Sequence, residues 1–163
     1  MRAAPFARRL AAAGALGIAL ATPAASQQSE GPAALEAFGA LVAGEWEAPG
    51  SRHEFTWGVG RRVIRSRSWF GEGEAWTLVS EGGWDWDPAG ETIRGQTVAV
   101  DMGVDLFEHR TRVEGRTVVS DLVSHGDFGG VYVERWTFDD EGYDWVLEQD
   151  EAQVMGARYT RTR

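Results

Sequence analysis

His53-Glu54-Phe55-Thr56-Trp57 alternates ring-bearing and polar side chains, and Gly58-Val59-Gly60 stops the run. A period of two places the three rings on one face of an extended strand. The rhythm continues on both sides. Upstream, a short strand fits 44–48. Downstream, Arg61 to Phe70 is rich in β-branched and aromatic residues and ends at Gly71-Glu72-Gly73. The next strand passes through Trp76, Leu78 and Ser80, bends at Gly82-Gly83 and stops at Asp87-Pro88-Ala89-Gly90. Further strands fit 91–100, 103–113, 116–125, 129–138, 142–149 and 153–162, which brings the count to about ten. Links this short join antiparallel neighbours, because a parallel crossover takes a dozen residues or more. So many strands in one small sheet curl and close, which removes exposed edges. The expected fold is all-β, a single antiparallel up-and-down barrel. Before it, Leu35, Phe38, Leu41 and Val42 recur at helical spacing behind Pro32, which predicts one short N-terminal helix over 32–42 lying against one end of the barrel.

The 163 residues provide for one domain. Arg2, Arg8 and Arg9 precede an apolar run from Leu10 to Ala21, and Ala24-Ala25-Ser26 offers a peptidase site. Residues 1–26 therefore read as a cleavable signal peptide, 27–31 as a polar leader and 32–163 as the barrel domain. The apolar run is too short for a spanning helix, which takes about 20 residues. The expected location is periplasmic or secreted. Cysteine is absent, so no disulfide, thiolate metal site or lipid-modified cysteine can form. Arginine supplies all 16 basic residues against 25 acidic ones. Past residue 26 the balance is 13 arginines to 25 acids, a net charge near −12. Such a surface repels phosphate backbones and anionic headgroups, so neither nucleic acid nor a stable membrane association is expected.

Leu41-Val42-Ala43-Gly44-Glu45-Trp46 carries a helix straight into Gly-x-Trp, and the chain ends Tyr159-Thr160-Arg161-Thr162-Arg163. With the Trp84-Asp85-Trp86-Asp87-Pro88 stretch between them, these motifs resemble the calycin superfamily of lipocalin-like barrels. Within it they are most similar to a bacterial branch of unassigned function. The resemblance spans about 41 to 163. It implies a lipocalin-like barrel in which Trp46 closes the floor and an arginine of the last strand packs over it, Arg161 first and Arg163 second. The fuller Gly-x-Trp-x-Gly-x-Gly pattern of haem-carrying relatives is not met, since Ala48 replaces one of its glycines. No cofactor is expected.

Eight tryptophans are the compositional outlier. They suit either an aromatic-lined lumen that stacks on a small apolar or amphipathic ligand, or a solid core. Strand parity groups His53, Phe55 and Trp57; Tyr132, Glu134, Trp136 and Phe138; and Tyr143, Trp145 and Leu147. The candidate ligand-binding residues are His53, Trp57, Tyr132, Glu134, Trp136, Tyr143 and Trp145. His53 and Glu134 are the polar exceptions on apolar rows, and each needs a partner in the protein or on a ligand. Arg65 and Arg67 would make the lumen cationic if they pointed inward; parity leaves their direction open.

Other chemistry has little support. His53, His109 and His125 lack paired metal-ligand spacing, and no metal is expected. The Asp85 to Gln96 stretch lacks calcium-loop ligands at its fifth and twelfth positions. There is no Gly-x-Ser-x-Gly elbow, and adjacent Ser124 and His125 point to opposite faces of a strand. No catalytic set is assigned. Two alternatives to a carrier stand beside it: a barrel enzyme of isomerase or hydrolase type using a lumen His/Glu pair, and a solid-core envelope protein acting through its acidic surface. Oligomeric state is not legible.

Overall fold

A computed structural model describes residues 31–100 and 103–162. The expected signal peptide, nearly all of the polar leader, and Arg163 lie outside the described residues. The chain begins with helix α1 (Gly31–Phe38), which tightens into a 3-10 turn at Gly39–Ala43. The ten strands follow as β1 (Glu45–Ala48), β2 (Ser51–Trp57), β3 (Val63–Glu72), β4 (Ala75–Asp87), β5 (Thr92–Ala99), β6 (Leu106–Glu114), β7 (Thr117–His125), β8 (Gly130–Phe138), β9 (Gly142–Gln149) and β10 (Ala152–Arg161).

Each strand pairs antiparallel with its neighbour in the chain, and β1 pairs with β10, so the sheet closes into a ten-stranded barrel. This is the closed up-and-down architecture that period-two patterning implies. The outer face is charged and laced with ion pairs, among them Arg67–Glu81, Arg112–Asp121 and Arg135–Glu148. Among the described residues no helix is long and apolar enough to cross a membrane.

Two details differ from the expected elements. The expected single helix over 32–42 is an α-helix followed by a 3-10 turn, which lets Leu35, Phe38 and Leu41 all bury. The strand expected to bend at Gly82-Gly83 runs unbroken through both glycines as β4, and its register against β3 shifts where Ser80 and Leu78 face Ser68 and Trp69. A Cβ at Gly82 would lie 2.5 Å from the Gln96 carbonyl oxygen, and one at Gly83 would lie 2.8 Å from that of Ile64. These glycines admit close neighbouring backbone.

The helix closes one end. Phe38 is fully buried and meets Trp84 edge-on at 5.2 Å and Trp136 at 6.1 Å between ring centroids. Trp46, 3% exposed, pairs in register with Arg161. Its indole N–H donates to the Leu41 carbonyl at 2.7 Å, and the Arg161 guanidinium sits 5.0 Å from its ring centroid. The helix end, first strand and last strand are thereby joined at one tryptophan. A cation over an indole contributes about 0.5–2 kcal/mol.

Candidate functional site

Above the Phe38–Trp84–Trp136 floor the barrel holds a cavity of about 810 Å3. It runs to Pro49, Phe70, Phe128 and Met155 at the opposite end, where Phe70, Phe128 and Met155 are exposed. That size falls within the range of about 300–1,000 Å3 usual for small-molecule sites. Small side chains make the room: Ser66 and Ser68 from β3, Ser80 from β4, and Gly156 and Ala157 from β10 line the wall. Aromatic rings supply much of the rest. Ser66 and Ser68 face inward, so their neighbours Arg65 and Arg67 are exposed outside. The cationic-lumen alternative falls on this parity.

His53, Tyr132, Glu134, Trp136 and Trp145 line the cavity together. Trp57 and Tyr143 share their strands' inward face but sit lower, outside the lining. Trp57 packs beneath the helix, where its ring would lie 2.6 Å from a Cβ at Gly39, and Arg61 stacks on it. Tyr143 is fully buried against Trp46.

Those two rows meet in a hydrogen-bonded relay. His53 Nδ1 lies 2.9 Å from the Tyr143 hydroxyl and Nε2 lies 3.2 Å from that of Tyr159, which also bonds Ser51 at 2.8 Å. The imidazole stacks on Tyr159 at 4.3 Å. Burial lowers the His53 pKa to about 4, so the ring is neutral at pH 7, with one nitrogen donating and the other accepting.

Glu134, on β8, is the only carboxylate on the cavity wall among the described residues. The Trp145 indole N–H donates to its Oε1 at 2.6 Å. Burial raises its pKa to about 8, with the Trp145 bond opposing that rise. At neutral pH it is mainly a carboxylic acid. Its Oε2 has no partner and lies 3.9 Å from His109 Nδ1, which also has none. His109 Nε2 is 3.1 Å from the Thr97 hydroxyl, and burial lowers the His109 pKa to about 4. The Trp84 indole N–H, on a ring that meets His109 edge-on at 5.1 Å, is a third buried polar group without a partner.

The lumen histidine facing Glu134 is thus His109, and no hydrogen bond or ion pair joins His53 to Glu134. Sequence reasoning weighed His109 only as a metal ligand. Its signal was present: Glu108, Arg110 and Arg112 share one parity, and so leave Phe107, His109 and Thr111 to face inward. His125 is on the outer surface beside Glu108 at 3.4 Å. Among the described residues no group of three His, Asp or Glu side chains is placed to hold a metal ion. Comparison with protein-family models, with curated proteins and with solved structures finds no match to this chain.

Proposed function

We propose that this chain is an exported lipocalin-like barrel of the calycin kind that carries a small, largely apolar or amphipathic molecule in its lumen. The cavity carries the reading: about 810 Å3 of mostly apolar space, floored by aromatic rings and opening at one end. A barrel serving only as a scaffold gains from filling that volume, because each lost contact in a void lowers stability. The residues proposed to hold the ligand are Tyr132, Trp136 and Trp145 by ring contact, with Glu134, His109 and His53 orienting its polar end. The cationic, apolar and small-residue segments of residues 1–26 support export to the periplasm or beyond.

Two measurements test this. Native mass spectrometry of protein isolated from its own envelope should show a copurifying mass, and the neutral dye N-phenyl-1-naphthylamine should bind at one site per chain. Ser68→Trp, which places an indole in the cavity, should abolish dye binding while the fold persists. Absence of both a copurifying mass and saturable dye binding would overturn the carrier reading. Mature protein beginning near Gln27 supports export; an uncleaved N-terminus in the envelope fraction counts against it.

A further inference from the structure

We propose that the ligand is an organic cation, an amphipathic amine or quaternary ammonium whose charged head lies against Glu134 among the indoles of Trp84, Trp136 and Trp145. This rests on the lumen-binding reading and narrows it to one charge class. Three independent features converge.

The first is the wall. Among the described residues no arginine lines the cavity, and the chain contains no lysine, so an anionic ligand would enter without a counter-charge. Glu134 is the one carboxylate among those wall residues, and its Oε2 has no hydrogen-bond partner. The second is the company it keeps. Three indoles line the same cavity, and indole faces attract ammonium groups through the ring quadrupole.

The third feature is the mouth. The open end is formed by the turns at Pro49–Gly50, Glu72–Glu74, Gly103–Asp105, Gly126–Gly129 and Asp150–Glu151. They carry Glu72, Glu74, Asp105, Asp127, Asp150 and Glu151, all exposed, and no arginine. None of the six forms an ion pair among the described residues, whereas acids elsewhere on the barrel are commonly paired with arginine. A ring of uncompensated carboxylates around a low-dielectric opening concentrates cations and turns anions away.

Oε2 of Glu134 and Nδ1 of His109 do not reach water-accessible surface, so the head group meets Oε2 once the Glu134 side chain turns toward the cavity. With His109 in the tautomer that donates from Nε2 to Thr97, Nδ1 presents a second acceptor beside it. A primary ammonium has donors for both, and a quaternary ammonium uses the rings and the charge.

The test compares three decyl probes on the purified protein by calorimetry below their micellar concentrations: decyltrimethylammonium, 1-decanol and decanoate. Expected is one site per chain, with the cation at least tenfold tighter than the alcohol and decanoate weakest. Glu134→Gln, which keeps the acceptor for Trp145, should lower cation affinity tenfold or more and alter alcohol affinity less than threefold; its circular dichroism and unfolding midpoint confirm that it folds. Equal affinity for alcohol and cation, or undiminished cation binding by E134Q, overturns the cation assignment while the carrier reading stands. Failure of all three probes overturns the cation assignment, and with failed dye binding and no copurifying mass it removes the carrier reading as well.

Discussion

Replacing Glu134 with Gln should make the protein more stable at pH 8 and flatten its pH dependence. The folded-state pKa of Glu134 is raised from 4.5 to about 8. Its contribution to stability is fully present below 4.5 and is lost as pH rises to about 8, because the unfolded chain ionises freely while the folded one cannot. His53 and His109 act in the opposite sense: their pKa values fall from 6.5 to about 4, so their contribution is present above 6.5 and lost as pH drops toward 4. The two histidines, still half protonated in the unfolded chain at pH 6.5, return about 0.4 kcal/mol each as pH rises to 8. Glu134 outweighs them: at about 1.4 kcal/mol per pH unit, its contribution falls by about 2 kcal/mol across that window. This figure is a ceiling, since the Glu134 side chain keeps 12% of its surface accessible and cavity water restores part of its hydration. Gln carries no titration and still accepts from Trp145. Urea unfolding followed by tryptophan fluorescence at pH 6.5 and 8 measures the difference; with a slope of roughly 1–3 kcal/mol/M, the wild-type midpoint should fall by about 1 M relative to that of E134Q. Parallel pH profiles for the two proteins, or an E134Q less stable than wild type at pH 8, would refute the burial of an uncompensated acid.

Other perturbations have equally definite outcomes. Phe38→Ala removes the fully buried ring between helix and floor and should cost about 3–5 kcal/mol in chemical denaturation. Arg161→Ala should cost about 1 kcal/mol, and a double-mutant cycle with Trp46→Leu should assign most of that to the pair. Gly95→Ala places a Cβ 2.4 Å from the Trp84 ring and 2.8 Å from the Gly83 carbonyl oxygen, so it should destabilise by about 1–3 kcal/mol and change the near-ultraviolet dichroism of Trp84. Decyltrimethylammonium should bind about tenfold more weakly per pH unit as pH falls from 8 to 6, because Glu134 must ionise to receive it. The other titratable groups facing it, His109, His53, Tyr143 and Tyr159, keep their neutral forms across that range.

Strand number, direction and inward face were legible because alternation reports directly on which side of a sheet a side chain lies. Height along the barrel was not. Trp57 and Tyr143 obey the same parity as Phe55 and Trp145, yet they pack at the closed end, since depth depends on strand tilt and on where the helix lands. The neighbour of Glu134 was also hidden, because His109 is 25 residues away in sequence and meets it across β7, through the register of two successive ladders. The cavity follows from the sum of many side-chain volumes. Ser66, Ser68, Ser80, Gly156 and Ala157 read singly as ordinary strand residues, and only their placement opposite the rings shows the space they leave.

Nine of the ten ladders join strands consecutive in the chain, and the tenth consists of Trp46 opposite Arg161 and Glu47 opposite Thr160. Hairpins can therefore form one after another as the polypeptide is delivered, while β1 keeps a raw edge until the last strand arrives. Loss of β10 would bare both β1 and β9 at once, and the expected result is self-association through those edges in place of a slightly weaker monomer. For this molecule, β10 decides whether the sheet becomes a sealed cylinder or a seed for aggregates.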